Sequence, residues 1–139
     1  DTLMNLKVSI STPDHVFLER EDVKMVSARG EEGQFAVLPG HIAFLTKIDA
    51  GVMKIRTESG EELDFATGPG FFQVNENVVT IITDDAIGQE GIDRQKAELA
   101  RAKAHEQLEK RLEGTDFQKV EAELRKALLE LKLLDHIEK

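Results

Sequence analysis

The chain has 139 residues, no cysteine and a formal net charge of -9, which allows one large domain or two small ones. The absence of Cys excludes disulfides and thiolate metal sites and suits a reducing compartment, while the acidic balance excludes general nucleic-acid binding, which needs a basic surface. The composition predicts a soluble globular protein, with no apolar run near the length of a membrane span and no signal-peptide pattern; Asp1 in place of Met predicts removal of residues ahead of it.

Charge and composition change together along the chain. Residues 1–85 carry 7 Lys and Arg against 15 Asp and Glu, a net of -8, whereas residues 86–139 carry 11 against 12, a net of -1. Nine of the ten glycines, all three prolines and six of the seven phenylalanines precede Ile92. The predicted organisation is a β-sandwich over 1–85, a linker over 86–91 with its glycines at Gly88 and Gly91, and an α-helical hairpin over 92–139.

Residues 3–83 alternate like strands. Leu6, Val8 and Ile10 share one face; Val23, Met25 and Ser27 oppose Lys24 and Val26 in a mixed strand. Further strands are predicted over Gln34–Leu38, Ala43–Ile48, Val52–Thr57, Glu61–Ala66, Gly70–Val74 and Val78–Thr83, with turns at Ser59-Gly60 and Asn75-Glu76-Asn77. Strand starts at this spacing suit a sandwich or a barrel, and a sandwich of about ten short strands is the predicted class. Phe35, Leu63, Phe65 and Phe71 are its predicted core.

Two loops stand out. Leu38-Pro39-Gly40-His41 reads as a proline-initiated turn with glycine at positive φ, or as an exposed loop presenting His41 to a partner. No Cys, Ser–Asp arrangement or second His at ligand spacing supports catalysis or a metal there. Gly68-Pro69-Gly70 lacks the Lys-Ser/Thr of a phosphate loop and reads as a sharp turn or bulge. Glu31-Glu32, Glu61-Glu62 and Asp84-Asp85 are solvated surface rather than acid–base dyads, because adjacent strand residues point to opposite faces.

The last third reads as two helices. The first is predicted from Asp93, as N-cap, to Glu113, with a narrow stripe at Ala97, Ala100, Ala104, Leu108 and Leu112 and an outer Glu106–Lys110 pair. Gly114 is its predicted C-cap. Thr115 and Gln118 then match a capping box, so the second helix runs from about Asp116, after a two- or three-residue connection, to near the end. Phe117, Val120, Leu124, Leu128, Leu131 and Leu134 form its first stripe, widened by Leu129, Leu133 and Ile137. This surface exceeds what an Ala-rich partner helix hides, so it must be buried on the strand domain, on another protein, or on each in turn.

The order sandwich, glycine linker, helical hairpin resembles the epsilon subunit of bacterial F-type ATP synthases over essentially the whole chain. Glu32-Gly33-Gln34-Phe35-Ala36-Val37-Leu38-Pro39-Gly40-His41 looks like the family's Gly-Glu-x-Gly-Ile-x-Pro-Gly-His segment. Gly68-Pro69-Gly70-Phe71-Phe72-Gln73-Val74 resembles its Ser-Gly-Gly-Phe-x-x-Val segment, and Ile92-Asp93 with Ala97 resembles the start of its first C-terminal helix. The resemblance implies a non-catalytic rotor subunit, peripheral to the cytoplasmic face of the bacterial membrane, in a proton-translocating synthase. The sandwich would meet the gamma subunit and the c-ring, with Gln34 standing beside the c-ring where the family usually has Glu, and with Pro39, Gly40 and His41 as further partner-binding residues. The hairpin, with Arg125 and Lys126, would reach the alpha/beta catalytic head and oppose ATP hydrolysis.

The resemblance requires no cofactor and no metal, but it implies a regulatory ATP on the hairpin at Asp93, Lys96, Lys103 and Lys126. The family's Ile/Leu-Asp-x-x-Arg-Ala reads Ile92-Asp93-Arg94-Gln95-Lys96-Ala97 here, and an arginine pair of the second helix falls on Lys126 and Glu130. Lys96 keeps the charge but not the planar fork, and Glu130 reverses it. The alternative function is a stand-alone ligand-sensing sandwich that dimerises through its hairpin.

Overall fold

A computed structural model describes residues 4–90, 92–111 and 113–137. Two compact units, 1–88 and 89–139, divide the chain.

The first unit is a sandwich of nine strands among the described residues: β1 (Leu6–Ser11), β2 (Val16–Gly30), β3 (Gly33–Val37), β4 (Phe44–Ile48), β5 (Gly51–Thr57), β6 (Glu62–Thr67), β7 (Gly70–Asn75), β8 (Val78–Thr83) and β9 (Ala86–Gly88). The hydrogen-bonded order is β1-β8-β7-β4-β2-β5-β6-β9, with β3 beside β2 and β1 also paired to β2. One layer therefore holds β1, β8, β7 and β4, and the other holds β3, β5, β6 and β9. The 15-residue β2 serves both. Its first half pairs with β1 through Val16 to Val23; its second half pairs with β3 and β5.

Alternation builds the core. Leu6, Val8 and Ile10 of β1 are fully buried, as are Val79 and Ile81 of the parallel neighbour β8. Phenylalanines join the layers: Phe35 of β3 meets Phe72 of β7 edge-on at 5.0 Å between ring centres, and Phe17 of β2 meets Phe65 of β6 at 5.9 Å.

The structure departs from the predicted strands at three places. Val23 pairs with Thr57 but Met25 pairs with Arg56, so a bulge falls at Lys24. The extra residue flips the phase of the rest of β2, burying Val26 and Ala28 in place of Met25 and Ser27's predicted face. In β7 it is Phe72 that is fully buried, while Phe71 is 51% exposed. Gly70 sets that phase, because it lies against the Ile82 and Thr83 backbone where no β carbon fits. Lastly, Ala86–Gly88 pairs with β6 as β9, so these residues of the predicted linker belong to the sheet; Gly91 lies outside the described residues.

The Gly68–Gly70 turn is fixed by Thr83. This residue is 2% exposed, and its hydroxyl reaches the carbonyls of Gly68 at 3.0 Å and Pro69 at 3.2 Å.

The second unit is an antiparallel pair, α1 (Arg94–Lys110) and α2 (Phe117–Ile137). Arg94, opening α1, pairs with Asp135 near the end of α2 at 3.0 Å. Asp93 caps α1 as predicted, its carboxylate accepting from the Lys96 N–H at 3.2 Å. The predicted α1 terminus is corrected: the helix ends at Lys110, with Arg111 in the left-handed region at φ 47° as its C-cap, not at Gly114. The connection is thus residues 111–116, longer than predicted. Asp116, not Thr115, caps α2, accepting from the Lys119 N–H at 3.2 Å. Asp is the stronger acceptor, and from position 116 its carboxylate reaches the Lys119 N–H, an amide of the first turn that has no carbonyl partner within the helix.

Ala97 and Ala104 of α1 are buried; Ala100 is exposed, Leu108 is half-buried and Leu112 lies outside the described residues. On α2 the buried or half-buried positions Val120, Leu124, Ala127, Leu131 and Leu134 recur at spacings of four and three. Ala127 thus takes the place predicted for Leu128, which is 45% exposed, and Leu129 and Leu133 are buried as well.

Candidate functional site

The sandwich carries an apolar face turned to solvent. The registers put Leu45 beside Gln73, Lys47 beside Phe71, Phe71 beside Ile82, and Val78 beside Lys7, all on the outside of the β1-β8-β7-β4 layer. Leu45 is 67% exposed, Ile82 56%, Phe71 51% and Val78 43%. A run of large apolar side chains across three adjacent strands is an exposed patch of the kind that marks an interaction surface. Next to it, Phe71 and Ile82 floor a shallow hollow of about 390 Å³ rimmed by Glu31, Asp49, Asp84 and Lys47.

One end of this face is closed by the loop after β3. Gly40 has φ 90°, a value that favours glycine, and the His41 N–H donates to the Leu38 carbonyl at 3.1 Å, so the predicted proline-initiated turn is formed. The His41 Nδ1–H donates to the Ile42 carbonyl at 2.8 Å, and its ring lies edge-on to Phe44 at 5.8 Å. Leu38 and Ile42, on either side, are 56% and 78% exposed.

Pro39, Gly40 and His41 are therefore gathered in one turn, but Gln34 is not with them. It is exposed at the start of β3, opposite Arg29, about 16 Å of extended strand from Pro39. Sequence reasoning missed the outer face because Phe71 read as core, and missed Asn77, whose side chain meets the loop. The signal for Asn77 was present in Asn75-Glu76-Asn77 but pointed only to a turn.

The hairpin carries the second candidate site. Asp93, Lys96, Ala97 and Ala100 of α1 and its cap, with Glu123, Lys126, Ala127 and Glu130 of α2, line a hollow of about 400 Å³. Three alanines leave the space; the rim holds three carboxylates and two ammoniums. Asp93, Lys96 and Lys126 are thus brought together as predicted sites, with Glu130 among them. Lys103 does not line the hollow, lying two turns along α1 from Lys96 and exposed. Arg125 is exposed and, one residue from Lys126, points about 100° away around α2, so the two cannot address one spot.

The shifted ionisations lie outside both sites. The Arg20 guanidinium holds Asp22 below the usual carboxylate range through two hydrogen bonds of 2.9 and 2.8 Å. Lys54 at 3.0 Å, with Arg56 at 3.3 Å, does the same for Glu62, and Glu106 raises Lys110 through their i,i+4 bond. Among the described residues no three or more His, Asp or Glu side chains are grouped to hold a metal, and no helix is long and apolar enough to cross a membrane.

A β-sandwich with an exposed apolar layer, followed by a two-helix hairpin, defines the class of chain. The ATP synthase delta/epsilon chain β-sandwich domain matches residues 5–89. The ATP synthase epsilon chain of Bacillus velezensis is 34% identical over 126 residues, covering 91% of this chain and 94% of the relative. That of Bacillus subtilis is 36% identical, covering 83% and 86%. The fold also matches a chain in the Euglena gracilis mitochondrial ATP synthase structure, with a TM-score of 0.67 at 24% identity over 97% of this chain and 80% of that one. A chain in the Tetrahymena thermophila mitochondrial central stalk and c-ring structure matches with a TM-score of 0.55 at 20% identity, covering 95% and 96%. The chain belongs to the ATP synthase epsilon chain family.

Proposed function

We propose that the chain is the non-catalytic rotor subunit of a proton-translocating F-type ATP synthase, held at the cytoplasmic face of the bacterial membrane by its partners. The observation that carries this reading is the exposed apolar layer of Leu45, Phe71, Val78 and Ile82. It supports docking on the gamma subunit, whose apolar side chains would cover it, while the acidic rim at Glu31, Asp49 and Asp84 suits Lys or Arg at the edge of the same contact. The turn at Pro39, Gly40 and His41, with exposed Leu38 and Ile42, supports contact with the c-ring; Gln34, at the far end of β3, makes a separate contact. Coupling follows from gripping stalk and ring with one body.

The hairpin is the regulatory element. Moved onto the alpha/beta head, with Arg125 and Lys126 each toward a separate acidic group there, it opposes ATP hydrolysis. A regulatory ATP would sit in the hairpin hollow, with Lys96 and Lys126 toward the phosphates. The hollow fits a triphosphate poorly, because Asp93, Glu123 and Glu130 offset both ammoniums and one Asp93 oxygen already accepts from the Lys96 N–H. Any ATP site there is accordingly weak.

The test is reconstitution with and without residues 92–139. Deletion should raise ATP hydrolysis while the sandwich still co-purifies with gamma. Unchanged hydrolysis removes the inhibitory role, and loss of gamma binding by the intact chain removes the reading as a whole.

A further inference from the structure

Asn77 joins three separate segments of the sandwich. Its side-chain Oδ1 accepts from the Gly40 N–H at 2.8 Å, and its backbone carbonyl accepts from the Lys7 N–H at 2.9 Å. Together with Glu76 at φ 49°, its own φ of 64° closes the two-residue turn between β7 and β8, which needs positive φ at both positions. The start of β1, the β7–β8 turn and the loop between β3 and β4 are thus tied through one half-buried side chain and its backbone.

The tie bears on a loop with little other support. Leu38 and Ile42 hold large apolar side chains in solvent, and among the described residues the loop's own hydrogen bonds run between neighbours, from His41 to Leu38 and to Ile42, with the His41 ring edge-on to Phe44. Such a loop, left to itself, would sample many conformations and lose affinity each time it had to be ordered on a partner. The bond to Asn77 crosses 37 positions in sequence and fixes the loop to the sheet before any partner arrives.

We propose that Asn77 is a positioning residue that preorganises the Leu38–Ile42 loop for docking onto the c-ring. The proposal rests on the reading of that loop as a contact of the rotor. Few residues meet both demands of the position. Glycine meets the positive φ but has no acceptor; serine has too short a reach; aspartate meets both.

The experiment uses the full chain and ATP synthase depleted of this subunit. Asn77→Gly is expected to leave the thermal midpoint nearly unchanged, to speed exchange of the Gly40 amide about tenfold and to weaken rebinding about five- to tenfold, the cost of one lost hydrogen bond. Asn77→Asp is expected to restore both protection and affinity, a rescue that a merely structural role would not link to binding. Glycine adopts the positive φ of position 77 without strain, so the glycine variant keeps the turn while it removes the acceptor. Faster Gly40 exchange with unchanged affinity overturns the proposal. Ile42→Asp separates the two readings: if it abolishes rebinding while Asn77→Gly does not, only the positioning role fails, and if neither affects rebinding, the loop is no contact at all.

Discussion

Gly70 lies directly against the backbone carbonyl of Ile82, in the tightest approach of any glycine described in the molecule. The strands β7 and β8 are paired there through Gly70 and Thr83, and the rest of β7 takes its inward and outward phase from that contact. A methyl group at position 70 must push backbone rather than a side chain. Gly70→Ala is expected to lower the unfolding free energy by about 2–3 kcal/mol, as overpacking does elsewhere. A change within about 0.5 kcal/mol in chemical denaturation would show that the strands can part at this point without penalty.

The outer face should tolerate charge while its binding does not. Phe71 and Ile82 are more than half exposed, so Phe71→Glu and Ile82→Glu remove little from the core. Each is expected to shift stability by under about 1 kcal/mol and to weaken co-purification with gamma at least tenfold. Full retention of gamma by the double variant would move the docking surface elsewhere on the sandwich.

The Arg20–Asp22 pair sets a pH dependence. Asp22 has a folded-state pKa below its ordinary value of 3.8, mainly because Arg20 donates hydrogen bonds to the ionised form. The stabilisation is therefore fully present above that ordinary value and fades as pH falls through the lowered one. Asp22→Asn is expected to melt below the parent chain at neutral pH, with the two curves converging under acid. The pair is part-exposed, so the gap is small, and a gap that widened on acidification would contradict the assignment.

In the hairpin hollow, charge decides. Glu130→Arg replaces one of three carboxylates by a cation and should strengthen ATP binding at least tenfold in calorimetry, while Lys126→Ala should abolish what binding there is. Equal heats for the parent chain and Glu130→Arg would take nucleotide out of this hollow.

Much of this architecture could be read from the sequence, because period-two burial and composition are local signals. Leu6, Val8 and Ile10 declared β1, and the loss of glycine and proline after Ile92 declared the hairpin. The failures came where a long-range contact overrode the local pattern. The bulge at Lys24 depends on the β5 partner, and the choice of Phe72 over Phe71 depends on how closely Gly70 approaches β8. Thr115 matched a capping box, yet Asp116 offered a carboxylate one residue later. The site was legible only in part. Pro39, Gly40 and His41 form a contiguous motif, whereas Asn77 and the Leu45–Phe71–Ile82 face are assembled from strands distant in sequence.

The path of β2 has a mechanical consequence. One continuous backbone is hydrogen-bonded to β1 in the first layer and to β3 and β5 in the second. The layers cannot shear past each other by sliding side chains alone, because a covalent strand crosses between them. A torque applied to the outer face through Phe71 and Ile82 is passed to the opposite layer along peptide bonds. If the outer face is where the sandwich is gripped, as proposed, the load reaches the opposite layer through covalent backbone, with little elastic give on the way.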